Sequence, residues 1–234
     1  MERLSAYRQG TAVRVNEFVR SVYNWMCVGL ALTGLVAYYV SHNDAIMNIL
    51  ITKPLLFWVF AIGELGLVIS IVGRVNRMKG STATALFLLY SALNGVTLSF
   101  IFIAYTGATI FSTFLICSLT FLACSVYGWT TKKDLTSIGS FMFMGLIGII
   151  IASVINIFLR SPAVYYAISY IGVVVFVGLT AYDTQKIKNM AATQPAGLDG
   201  DVVRKGAILG ALSLYLDFIN LFIMLLRIFG GGRD

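Results

Sequence analysis

Seven apolar runs, each close to twenty residues long, leave this chain few ways to fold. A helix needs about 20 mostly apolar residues to cross the hydrocarbon core of a bilayer, and in lipid it must satisfy its backbone hydrogen bonds within itself. The runs lie at about residues 21–41, 54–73, 83–105, 108–129, 139–159, 163–185 and 206–228. They predict an all-α, polytopic membrane protein with seven transmembrane helices. Composition agrees, with 59% hydrophobic and 12% charged residues. A soluble domain carries about twice that charged share. The expected organisation is a cytoplasmic N-terminal arm over 1–20, one seven-helix transmembrane domain over 21–229 and a short tail over 230–234. The connection over 186–205, with Pro195, Gly197 and Gly200, reads as a plain loop.

The net charge of +7 follows from topology rather than from nucleic-acid binding. Cytoplasmic loops of membrane proteins are enriched in Lys and Arg. Arg3, Arg8, Arg14 and Arg20 precede the first run, and Arg74, Arg77 and Lys79 follow the second. Lys132 and Lys133 follow the fourth, and Lys186, Lys188, Arg204 and Lys205 lie between the sixth and seventh. Thirteen of the seventeen basic residues thus fall on one side, leaving Lys53, Arg160, Arg227 and Arg233 on the other. That predicts a cytoplasmic N-terminus and an external C-terminus. There is no aromatic-basic RNA motif or phosphate loop. Cys27, Cys117 and Cys124 sit inside apolar runs and read as small hydrophobes. One histidine, His42, cannot build a histidine metal centre.

The acids inside the runs carry the functional signal. Asp217 lies near the middle of the last run, where a lone charged carboxylate costs roughly 2.5–3.5 kcal/mol on insertion scales. It needs a partner, water or a proton. Gly206, Gly210, Ser213, Asp217, Asn220 and Met224 recur at helical spacing and share one face. The sixth run offers a matching stripe of Ser169, Gly172, Phe176, Thr180 and Asp183. One turn of offset between antiparallel helices lets the two carboxylates meet. Two carboxylates within hydrogen-bonding reach in a poorly solvated site do not easily both ionise, and can share a proton. Protonated, the pair is a neutral latch; deprotonated, it repels itself unless a cation enters. Hard cations such as Ca²⁺ prefer oxygen ligands, and Asp183, Asp217, Asn220 and Thr180 provide them, with Ser213 on the same path. Glu64 in the second run is a gate or ion-path carboxylate, or a hydrogen-bonded structural acid. Arg74 either pairs with Asp183 or holds the positive-inside topology.

Two stretches, GLTAYDTQKIKNM around Asp183 and SLYLDFINLFIMLLRIFG around Asp217, closely resemble the Bax inhibitor family, also called the transmembrane Bax-inhibitor-motif family. The likeness extends over the whole membrane region, including the KKDL loop at Lys132–Leu135, and looks like that of a bacterial member of the inner membrane. The resemblance implies six helices around a central seventh. It also implies a pH-sensitive calcium leak gated by an aspartate pair, here Asp183 and Asp217, which hold Ca²⁺ transiently. It further implies an arginine from the second span facing the pair, Arg74 in preference to Arg77. No cofactor is expected: Ca²⁺ is the transported ion and protons the regulator. The expected partners are the lipid bilayer and calcium ions, with a further membrane protein as an alternative, and no nucleic acid.

Two other functions are open. A non-conducting regulator binds another membrane protein, such as a protease or a cell-death partner. An intramembrane aspartyl protease would also place two aspartates on adjacent spans. The sequence opposes that enzyme, because LYLD stands where presenilin-type proteases have Gly-x-Gly-Asp, and their Pro-Ala-Leu motif is missing. The chain is therefore expected to be no enzyme.

Overall fold

The computed structural model describes residues 2–193, 195 and 197–230, with side chains described from residue 13 onward. The side chains of Arg3 and Arg8 and the tail over 231–234 lie outside the described residues. Among the described residues the regular structure is helix alone. Seven helices among the described residues are long and apolar enough to cross a membrane: Val13–Ser41, Pro54–Arg77, Gly80–Ala104, Gly107–Thr130, Thr136–Leu159, Pro162–Thr193 and Gly200–Phe229. The protein is a polytopic all-α membrane protein.

Contacts divide the chain into two units. The first takes in residues 1–104 and 190–215. It holds α1 (Glu2–Ser41), α2 (Asp44–Thr52), α3 (Pro54–Arg74), α4 (Gly80–Leu98) and α5 (Ile101–Ala104). α2 starts at an Asn43 cap whose side chain accepts from Ile46 N–H at 3.1 Å, satisfying one orphan donor of the first turn. Its Met47 and Leu50 pack with Val40 of α1, and Leu56, Phe60, Val96 and Phe100 close around them. α1 and α4 approach at Gly95, where a Cβ would stand 2.7 Å from the Thr33 carbonyl oxygen. Only glycine admits backbones that close. Asp201 accepts from Gly80 N–H at 2.6 Å and caps α4.

The second unit takes in residues 105–189 and 216–234. It holds α6 (Gly107–Thr130), α7 (Thr136–Leu159) and most of α8 (Pro162–Thr193). The last helix, α9 (Gly200–Phe229), contributes its first half to the first unit and its second half to this one. α9 is the enclosed span, with 72% of its apolar window buried, against at most 39% in any other span. Phe141, Phe143 and Met144 of α7 are exposed, while Met142 lies against Gly178 of α8.

Two expectations are corrected. Residues 186–205 are not a plain loop: α8 continues to Thr193 and α9 begins at Gly200. The basic residues that read as loop are good helix formers, and they extend both helices past the apolar runs. The third span is interrupted at Ser99–Phe100, between α4 and α5. Between the first and second spans the chain forms the short capped helix α2.

Candidate functional site

Asp183 on α8 and Asp217 on α9 both belong to the second unit. Asp217 is only 5% exposed, and its Oδ2 is buried without a hydrogen-bond partner from the protein. Asp183 is half-buried, and its charge acts on Asp217. The register explains why. Gly172 of α8 lies against the Met224 side chain of α9. Counted along antiparallel helices from that contact, Asp217 is level with Leu179, and Asp183 lies one turn further, about 6 Å along the axis. Side chains lean towards the N-terminus of their own helix. On antiparallel helices each carboxylate therefore leans towards the level of the other.

The end of α8 that carries Asp183 is held on three sides within its unit. Gly128 of α6 admits the Ala181 carbonyl, and Gly139 of α7 admits the Tyr182 ring. Gln185 is buried and clamps the short α6–α7 connection. Its Oε1 accepts from Leu135 N–H at 2.9 Å, and its Nε2 donates to the Lys133 carbonyl at 2.8 Å. Lys188 donates to the Trp129 carbonyl at 2.6 Å. In the same connection the hydroxyl and N–H of Thr136 donate to Asp134, which holds that exposed carboxyl below its ordinary range. Lys186 contributes the positive charge felt by Asp183.

The other oxygen donors are less free than their spacing suggests. Thr180 is fully buried and its hydroxyl donates to the Phe176 carbonyl at 2.7 Å. The Asn220 amide donates to the Leu216 carbonyl at 2.8 Å. Ser213 is half-buried in the first unit, and Arg74 is exposed at the end of α3, also in the first unit. Among the described residues no three His, Cys, Asp or Glu side chains gather as metal ligands.

Glu64 sits in a separate polar network in the first unit. It accepts from Asn94 Nδ2 at 3.2 Å and Thr97 Oγ1 at 2.9 Å. Asn94 Oδ1 lies 3.2 Å from the Tyr215 hydroxyl, which is 2.6 Å from Thr33 Oγ1. Thr33 in turn donates to the Ser91 carbonyl at 2.8 Å. Tyr215 and Thr33 were missed in the sequence. The signal was there: a tyrosine in mid-span must find a partner for its hydroxyl. Tyr215→Phe is expected to lower stability by about 1 kcal/mol, since it strips a partner from Thr33 and Asn94 while the ring contacts remain. Thermal unfolding in nanodiscs checks this.

The family model described as "Inhibitor of apoptosis-promoting Bax1" matches residues 15–234. The chain is 52% identical over 216 residues to the inner membrane protein YbhL of Escherichia coli K12, covering 92% of each chain. It is 47% identical to an uncharacterized protein of Borreliella burgdorferi, covering 94% of each. It is 39% identical to one of Deinococcus radiodurans, over 100% of this chain and 98% of the relative. With spans, aspartate stretches and full-length likeness in agreement, the chain belongs to the Bax inhibitor family of integral membrane proteins.

Proposed function

We propose that this protein is a pH-regulated cation pathway of a bacterial inner membrane, passing Ca²⁺, with the Asp183–Asp217 pair as its gate. The observation that carries the reading is Asp217: a buried carboxylate with an unpartnered oxygen and one acidic neighbour one turn away. Intramembrane acids of this kind mark ion or proton paths. With one proton shared between them the two carboxyl groups form a singly charged, hydrogen-bonded latch between α8 and α9. Without it they repel, and a hard cation satisfies both. Flux should therefore rise as the pair deprotonates and fall as it is protonated. Within the same unit, Thr180 and Asn220 flank the pair on α8 and α9. The N-terminus is cytoplasmic and the C-terminus external, in line with the distribution of Lys and Arg. The chemistry is transport rather than catalysis.

The test is calcium flux into proteoliposomes measured across pH. The wild type should conduct more at neutral and alkaline pH than in acid. Asp183→Asn and Asp217→Asn, made separately, should each lose that dependence. Unchanged flux and pH profile in both variants would sink the proposal. A wild type that carries no ion at all would favour a regulator that acts by binding another membrane protein.

A further inference from the structure

Helical Ser and Thr hydroxyls in this protein usually donate back to their own helix. On α6, Ser118 donates to the Phe114 carbonyl, Thr120 to Ile116 and Thr130 to Val126. Such back-bonds let a hydroxyl sit in lipid without water. Thr113 and Ser125 on the same helix behave differently. They lie on its buried stripe, with Cys117 and Phe121 between them at four-residue spacing. Thr113 is 0% and Ser125 6% exposed, yet neither hydroxyl has a protein partner. Asp217 Oδ2 is the third such buried atom among the described residues. It stands beside the same stripe, because Cys117 Sγ donates to the carbonyl of Phe218 at 3.7 Å. All these residues belong to the second unit.

Buried polar groups in folded proteins are hydrogen-bonded to protein or to ordered water, so buried hydroxyls with no protein partner point to water. The coincidence of three such atoms on facing helices is hard to reconcile with a dry interface. We propose that a file of buried water runs along the inward stripe of α6, hydrogen-bonded to Thr113, Asp217 and Ser125, and that the two hydroxyls line the route by which hydrated cations reach Asp217. The water file stands alone; its role as the ion route rests on the function proposed above. Thr113 and Ser125 are about 18 Å apart along the helix, so the file would serve Asp217 from both ends.

Radiolytic footprinting of the full chain in nanodiscs tests the file, because hydroxyl radicals born from bound water label adjacent side chains. Cys117 lies within the stripe, and Met26, 4% exposed in the first unit, is a packed control. Cys117 should label about tenfold faster than Met26, and the Thr113→Val, Ser125→Ala double variant should remove most of that excess. Labelling of Cys117 at the Met26 rate overturns the file, whether or not the protein conducts. The same double variant should lower calcium flux about tenfold, with Thr113→Ser retaining it. Strong labelling in the wild type with unchanged flux in the double variant overturns the route alone and leaves the aspartate gate standing. A wild type that labels but carries no calcium overturns both the gate and the route, and leaves the file supported.

Discussion

Gly128→Val is expected to destabilise the second unit by about 3 kcal/mol or more and to abolish the proposed calcium flux. A Cβ at Gly128 would land on the Ala181 carbonyl and 3.1 Å from Thr184 Cβ. These atoms are backbone and a branched side chain of α8, so the clash is relieved only by moving that helix. Overpacking of this sort costs about 1–3 kcal/mol where side chains can give, and more where backbone must. Ala181 and Thr184 also bracket Asp183, so the same displacement moves the carboxylate away from Asp217. Gly148→Val on α7 is the control, since nothing lies within 4 Å of a Cβ there; it should leave stability and flux nearly unchanged. Thermal unfolding and flux in one lipid composition compare the two. Equal stability of both variants would contradict the close α6–α8 packing.

Asp217→Asn is expected to move stability and activity in opposite directions. The carboxylate is 5% exposed, lacks a protein partner on Oδ2 and feels the charge of Asp183. Removing its charge should raise stability at neutral pH by about 2 kcal/mol, because a neutral amide escapes most of the cost of a charged carboxylate in mid-span. The same change removes half of the proposed gate, so pH-dependent flux should vanish. A gain in stability with a loss of function is the signature of a site retained for its chemistry rather than for packing. Thermal unfolding alongside flux reads both. A variant that loses stability would mean that Asp217 is a structural hydrogen-bonding residue.

How far the sequence could be read depended on the physics of each segment. The spans were legible because twenty apolar residues have no other use at that density. The inward stripes of α8 and α9 were legible because small and polar residues at helical spacing stand out against Leu, Ile and Phe, and Gly172 does meet Met224. The extension of α8 to Thr193 was not, because Lys186 and Lys188 end the apolar run without ending the helix. Its reason is tertiary: Gln185 and Lys188 bond the backbone of the α6–α7 connection and its flank. The interruption at Ser99–Phe100 carries neither proline nor glycine, so no local signal marks it. The network joining Thr33, Asn94 and Tyr215 links residues far apart in sequence, and spacing within one helix cannot reveal it. Thr113 and Ser125 look like any other hydroxyls of α6; only the absence of their back-bonds sets them apart.

Asp183 and Asp217 are proposed to act as one unit. The most direct measurement is a double-substitution cycle on calcium flux across pH, with Asp183→Asn, Asp217→Asn and the double variant in the same vesicles. Groups that work together are strongly non-additive. The double variant should match either single variant in both flux and pH profile. Additive losses, with each single variant keeping a pH dependence of its own, would show two independent carboxylates and contradict the gate.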